Sequence, residues 1–194
     1  MKLHQTKYLI RTGAFPESGL WASVEAEVRE AISLVDWPDG SGSFILNPTK
    51  RGNGVVPVKK NCIRRLAGSG WQLEKHGDLD AVKTLDDGRL FAMEWETGNV
   101  SSSYRALHKM ALQVMKGVFV GGVLVLPVRA TAKFMTDRIG NFEELVNYSD
   151  LYEHLRPAEG LLAMIPFEHD GLSEQAPLIP KGADGNAMRG RTKA

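Results

Sequence analysis

The stretch that decides the fold reads Gly77-Asp78-Leu79-Asp80-Ala81-Val82-Lys83, then Asp86-Asp87-Gly88, then Phe91-Ala92-Met93-Glu94-Trp95-Glu96. Two segments with the alternating pattern of β-strands, on either side of an Asp-Gly turn, predict a β-hairpin. Side chains two apart on a strand share a face, so Glu94 and Glu96 point the same way on the second strand. Asp78 and Asp80 share a face of the first strand in the same manner. The hairpin can therefore carry acids from two neighbouring strands on one face.

The length of the turn decides whether the two sets of acids meet. A two-residue loop at Asp87-Gly88 would set Asp80 opposite Trp95 and mix the two faces. A three-residue loop, with Gly88 in the left-handed conformation, sets Asp80 opposite Glu94. We favour the longer loop because it opposes the acids in the way that a cation site requires. Opposed carboxylates about 5 Å apart repel each other unless a cation lies between them. Oxygen ligands suit Mg²⁺, so the hairpin predicts a metal-dependent hydrolytic site, with a solvated acidic face as the alternative.

Two further acids are weaker candidates for the same site. Asp78 shares a face with Asp80 and is an alternative or accessory metal ligand. Glu27 flanks the buried side of the first predicted helix, next to Ala31 in angle. It is either an ordinary residue at the edge of the core or an additional metal ligand.

Composition limits the class of protein. A length of 194 residues with 43% hydrophobic residues fits one domain, which we expect over residues 1–172, followed by a flexible Pro- and Gly-rich tail over 173–194. The net charge of +1 means that any nucleic-acid surface must come from local clusters of cations. A lone Cys62 excludes an internal disulfide and suits a cytoplasmic location. The start of the chain has no signal-peptide pattern, and the longest apolar run, 118–128, is too short for a membrane span.

Apolar periodicity predicts the other elements. We expect helices from residue 18 or 23 to 35, from 58 to 67, from 101–103 to 116, and at 142–145 and 150–155. We expect strands at 44–46, 71–74, 123–127 and 161–166. The continuous apolar run 123–127 is typical of a buried parallel strand, and the preceding helix suggests a crossover from the hairpin. The predicted class is α/β, with a mixed central sheet flanked by helices.

Cations cluster in two places near the hairpin. On the helix after it, Arg105, Lys109, Gln113 and Lys116 fall within about 80° of one another, opposite the apolar face. A second basic region comprises Lys50, Arg51, Lys59, Lys60, Arg64 and Arg65. A phosphodiester nuclease needs cations that hold the phosphate backbone beside a cluster of carboxylates, so this arrangement favours a nuclease. The alternative is that these cations form an ordinary solvated helix face. The candidate DNA-binding residues are Lys59, Lys60, Asn99, Arg105 and Lys109.

Asp80 followed by Glu94-Trp95-Glu96 resembles the core of the PD-(D/E)xK nucleases, with glutamate where lysine is usual. That variant looks like the BamHI/BglII-type restriction endonucleases. The flanking segments that strengthen the resemblance are 44–48, 53–59, 70–74 and 79–83. The resemblance covers roughly residues 24–152 and implies a restriction-endonuclease-like core.

The resemblance implies Mg²⁺-dependent hydrolysis of double-stranded DNA by a homodimer, with one active site for each strand. Asp80 and Glu94 would be the metal ligands. Glu96 cannot supply the positive charge of the usual lysine, but it could act as general base or position the attacking water. The resemblance also implies a palindromic site with a GATC centre and a cognate DNA methyltransferase in the same system.

Two other functions stay open at this stage. The first is a DNA-binding protein on a catalytically inactive nuclease fold, against which the three retained acids argue. The second is a repair or recombination nuclease on the same fold. Cutting at one specific sequence would separate a restriction enzyme from the repair nuclease, and metal binding without cutting would favour the inactive protein.

Overall fold

The computed structural model of the protein describes residues 1–73, 79–136 and 138–181. The strands are β1 (Lys2–Leu3), β2 (Lys7–Thr12), β3 (Ile45–Leu46), β4 (Gln72–Leu73), β5 (Ala81–Thr84), β6 (Leu90–Trp95), β7 (Phe119–Pro127), β8 (Gly160–Glu168) and β9 (Gly171–Leu172). The α-helices are α1 (Gly19–Ser33), α2 (Val56–Gly68), α3 (Val100–Met115), α4 (Arg129–Ala132), α5 (Phe142–Leu145) and α6 (Asp150–Glu153). Short 3₁₀ turns lie at Phe15–Glu17 and Val146–Tyr148.

A mixed sheet forms the centre of the described chain. Its strand order is β1-β8-β7-β6-β5-β4, and β2 also pairs with β8. The pairs β6–β7 and β7–β8 are parallel, whereas β4–β5, β5–β6 and the N-terminal strands on β8 are antiparallel. Every residue of β7 is buried, as expected of a central parallel strand. The predicted α/β class with a mixed central sheet flanked by helices is confirmed.

Helices cover both faces of this sheet. Alternation along β6 turns Phe91 and Met93 towards a core that contains α1 and α2, and turns Ala92 towards a core that contains α3. The predicted start of α1 is confirmed, because the Ser18 side chain accepts a hydrogen bond from the Trp21 backbone N–H. The sheet is therefore fixed from both sides at the strand that carries Glu94.

Two expectations about the elements need correction, and two strands were not predicted. Asn99, and not a serine at 101–103, caps α3, with its side chain accepting from Ser102 N. The strands β1 and β2 were not indicated by the apolar pattern. Residues 173–181 are not a loose tail, because Ala176 and Ile179 are buried, while residues 182–194 lie outside the described ranges.

Side chains from the chain's first half hold this C-terminal segment in place, among them those of two asparagines. Asn47 donates hydrogen bonds to the carbonyl oxygens of Glu174 and Ala176, at 3.2 and 2.9 Å. The Asn53 side chain accepts one from Ile179 N at 3.3 Å. No helix of the described residues is long and apolar enough to cross a membrane.

Candidate active site

The hairpin of β5 and β6 has the register that the longer turn requires. Ala81 pairs with Met93, and Leu85 N donates to Arg89 O at 2.8 Å, which leaves residues 86–88 as the turn. Gly88 closes it with φ +83°, a conformation that side-chain-bearing residues rarely adopt. One residue beyond the Ala81 pair, this register sets Asp80 opposite Glu94, as the three-residue turn predicts.

Asp80 lies at the entrance to β5 and is held on both of its oxygens. Its Oδ2 accepts a hydrogen bond from the Trp95 backbone N–H at 2.8 Å, and its Oδ1 forms an ion pair with Lys59 Nζ. The side chain is 12% exposed. The backbone of one strand and a cation from α2 thus fix the carboxylate in place.

Glu94 faces Asp80 across the hairpin and is also 12% exposed. Burial raises its pKa to about 8, and the charge of Asp80 and a hydrogen bond to it act in the same direction. Lys109 and Lys59 oppose this rise, with Lys109 Nζ at 3.9 Å from Glu94 Oε1. The charge on Asp80 therefore disfavours ionisation of the Glu94 carboxyl group that faces it.

Glu96 is near this pair but turned towards the following loop. Its Oε1 accepts a hydrogen bond from the Gly98 backbone N–H. Burial raises its pKa above the usual range, while the Gly98 bond and the charge of Lys59 oppose the rise. The described residues contain no group of three or more His, Cys, Asp or Glu side chains placed to hold one metal ion. The structure thus brings Asp80 and Glu94 together and leaves Glu96 at the rim.

Glu27, the first of the two weaker candidates, lies away from the pair. Glu27 forms an ion pair with Lys83 and accepts a hydrogen bond from Trp71 Nε1 at 2.9 Å. Lys83 shares its face of β5 with Ala81, in the core of α1 and α2, so Glu27 lies on the opposite side of the sheet from Glu94. Glu27 therefore does not face the Asp80–Glu94 pair, and its role as a metal ligand stays a prediction. Asp78 lies outside the described residues.

The predicted basic residues divide into two groups. Lys59 and Lys109 lie at the carboxylates themselves and not on a separate surface. Lys60 and Arg105 are exposed, and Arg105 donates to Ser102 Oγ at 3.4 Å. Asn99 is exposed at the start of α3, directly after the loop that holds Glu96.

A further group of cations was only partly visible in the sequence. Lys50, Arg51, Arg129, Lys133 and Arg138 line one small cavity of about 230 Å³ and are all exposed. We did not single out the last three, which follow the buried strand β7. Because β6 and β7 are parallel, the loops after them meet at one edge of the sheet, which is the signal that could have found these residues. Gly140 N donates to Gly98 O at 3.0 Å, and this bond joins the two loops.

Residues 1–186 match the family model described as restriction endonuclease BamHI. The chain belongs to the BamHI family. It is 42% identical over 198 residues to the type II restriction enzyme OkrAI of Oceanobacter kriegii, covering 97% of this chain and 100% of that one. It is 34% identical over 179 residues to the type II restriction enzyme BamHI of Bacillus amyloliquefaciens, covering 84% and 82%.

Solved structures of BglII share the fold of this BamHI-family chain. A complex of BglII with a DNA 16-mer superposes with a TM-score of 0.60 at 12% identity, over 88% of this chain and 79% of that one. Free BglII gives a TM-score of 0.53 at 9% identity, over 88% and 81%. At these identities the likeness establishes the fold, and the predicted resemblance to BamHI/BglII-type enzymes is confirmed by the family match.

Proposed function

We propose that this chain is a type II restriction endonuclease that hydrolyses phosphodiester bonds in double-stranded DNA at a specific sequence. The observation that carries the proposal is the match to the BamHI family over residues 1–186. The facing pair Asp80 and Glu94 supports it, because such a pair is chemically suited to phosphodiester hydrolysis.

The two carboxylates fit a divalent cation. Burial and mutual repulsion raise the pKa of Glu94 to about 8, and a metal ion between the two groups would relieve both costs. Asp80 and Glu94 would hold the ion, and oxygen ligands of this kind favour Mg²⁺. When bound, Mg²⁺ would polarise the phosphate and lower the pKa of a bound water.

The remaining acid supplies the proton acceptor. Glu96 would take a proton from the water that attacks phosphorus, as the bond from phosphorus to the leaving sugar oxygen breaks. Burial raises the pKa of Glu96 above its usual range, and so makes it a stronger base than an exposed glutamate. For this role its carboxylate must leave Gly98 N and turn towards the attacking water.

Exposed cations would hold the DNA. Arg105 and the amide of Asn99 would border the site, exposed Lys60 follows Lys59 on α2, and the cavity group of Lys50, Arg51, Arg129, Lys133 and Arg138 would continue the basic edge. Cations at this edge would contact phosphates on either side of the bond that is cut.

The protein would act as a homodimer in the cytoplasm, with one active site for each strand. Exposed apolar side chains support the dimer, since Leu112 on α3 is 51% exposed, and Tyr148 before α6 and Leu151 within it are each 62% exposed. We further propose a palindromic site with a GATC centre and a cognate DNA methyltransferase that protects it in the host.

Digestion of unmethylated plasmid DNA with Mg²⁺ tests the function. We expect discrete fragments whose ends map to one palindrome, and no fragments from Glu94→Ala. Glu30→Ala, an exposed acid on α1, is the matched control and should cut normally. Cutting at many unrelated sequences would favour a repair nuclease, and no cutting with any divalent metal would favour an inactive DNA-binding protein.

A further inference from the structure

Lys59 was expected to contact the DNA backbone, but it lies at the catalytic carboxylates. It sits in the first turn of α2, and its Nζ forms the ion pair with Asp80 Oδ1. Val58 and Cys62 on the same helix are buried in the core with exposures of 1% and 0%. Because these neighbours fix the helix against the sheet, the position of Lys59 beside Asp80 is set by the fold.

The two lysines of the site differ in how closely they approach the acids. Lys109 Nζ stands 3.9 Å from Glu94 Oε1, at the outer limit of an ion pair. Lys59 is in direct contact with Asp80, on the oxygen that the Trp95 backbone does not use. The Lys59 ammonium thus pairs with the one Asp80 oxygen that the backbone leaves for another partner.

The Lys59 side chain can move into solvent when it leaves Asp80. It is 40% exposed, whereas Asp80 is 12% exposed, so its ammonium can swing towards solvent on a flexible four-carbon stem. A released ammonium on this stem would stay close enough to the carboxylates to pair with a phosphate bound beside them.

We propose that Lys59 acts as the counter-ion of Asp80 in the metal-free enzyme, yields Asp80 to the incoming divalent cation, and then, as a catalytic residue, pairs with the phosphate that is cut. The inference rests on the proposed function for its metal and its substrate. In this proposal Lys59 supplies the site with a positive charge from α2. The strand cannot supply that charge, because it carries Glu96 at the position where lysine is usual.

Calorimetric titration of the DNA-free protein with Mg²⁺ alone tests the first part. Lys59→Met removes the competing ammonium, so we expect Mg²⁺ to bind roughly three- to tenfold more tightly than to the wild type. Lys7→Met is the matched control, because Lys7 also forms an ion pair, with Glu153 at 3.8 Å, and is 36% exposed. The control should bind Mg²⁺ as the wild type does. An affinity of Lys59→Met equal to that of the control would overturn the proposal.

Single-turnover cleavage at saturating Mg²⁺ tests the second part. Lys59→Met should cut at least about 100-fold more slowly while its Kd for DNA changes less than about threefold, because one transition-state contact is lost. Lys59→Arg should restore part of the rate, which a purely structural role would not predict. Cleavage by Lys59→Met at the wild-type rate would contradict the proposal. If the wild type cuts no DNA, the proposed function fails, and the Mg²⁺ titration still decides whether Lys59 guards Asp80.

Discussion

At the scale of single residues, the chemistry depends on how two carboxylates share one small space. The Trp95 N–H and Lys59 hold the Asp80 carboxylate in position. Burial and the facing Asp80 raise the pKa of Glu94 to about 8. A carboxyl group that is protonated in the folded protein and ionised in the unfolded chain makes stability fall with rising pH.

The first prediction concerns that pH dependence. The folded pKa of Glu94 lies above its unfolded value of 4.5, so its contribution is fully present below about pH 4.5 and is lost as the pH rises to about 8. We expect the free energy of unfolding of the metal-free protein to fall over this window by at most about 1.4 kcal/mol for each pH unit. Denaturant titrations between pH 5 and pH 9 measure it. Glu94→Gln should flatten the curve, and an unchanged slope in that variant would assign the effect to another group.

The second prediction separates the roles of the acids. Glu96→Gln keeps the shape of the side chain but cannot accept a proton, so cleavage should slow by about 10²- to 10⁴-fold. Its affinity for Mg²⁺ without DNA should change less than that of Glu94→Gln, because Glu96 lies at the rim of the pair. Parallel rate and calorimetric measurements check both statements. A greater loss of metal affinity in Glu96→Gln would make Glu96 a metal ligand instead.

At the scale of elements, the loop between β6 and α3 connects the acids to the edge of the sheet that carries the exposed cations. Gly98 N holds Glu96, Gly98 O accepts from Gly140 N, and Asn99 caps the helix that carries Arg105. Movement of this loop on DNA is therefore expected to change the position of Glu96.

The third prediction tests that connection. A Cβ at residue 98 would lie 2.6 Å from Glu96 Oε1 and 3.2 Å from Ser102 Cβ, so Gly98→Ala must displace Glu96. We expect cleavage to slow at least about tenfold while stability changes by less than about 1 kcal/mol, because the residue is exposed. Gly68→Ala at the end of α2 is the control, since its Cβ would meet nothing within 4 Å. Equal cleavage rates for the two variants would show that the loop does not position Glu96.

The elements also show what the sequence could and could not reveal. The turn chemistry at Gly88 and the alternation along β6 are local, so the register that joins Asp80 to Glu94 was predictable. Glu27 was misplaced because helical periodicity gives the buried side of α1 but not the face of the sheet it covers. The contact of Lys59 with Asp80 and the hydrogen bond of Asn53 with Ile179 join distant parts of the chain, which local patterns do not encode.

At the scale of the whole molecule, a nearly neutral protein presents its cations at one edge. The net charge is +1, yet five exposed cations line one cavity next to the loop between β6 and α3. Such local clustering lets the protein bind a polyanion without a large overall charge.

The fourth prediction measures this edge. Lys133→Ala and Arg129→Ala should each weaken DNA binding similarly on all sequences and lower the slope of log K against log salt by about one. Arg11→Ala is the control, because Arg11 pairs with Leu161 near the opposite end of β8 and forms an ion pair with Glu17. Binding isotherms at several salt concentrations give the slopes. Slopes that stay at the wild-type value in both edge variants would mean that this group faces solvent in the complex.

The measurement that tests the account most directly is the single-turnover rate of cutting of a duplex that contains the mapped site, for wild type, Glu94→Gln and Glu30→Gln. The account predicts that Glu94→Gln binds the duplex within about threefold of the wild type but cuts at least about 10³-fold more slowly, because a metal ligand is lost and no phosphate contact is. Glu30→Gln should match the wild type in both measurements. Cutting by Glu94→Gln at the wild-type rate would contradict the assignment of the Asp80–Glu94 pair as the catalytic centre.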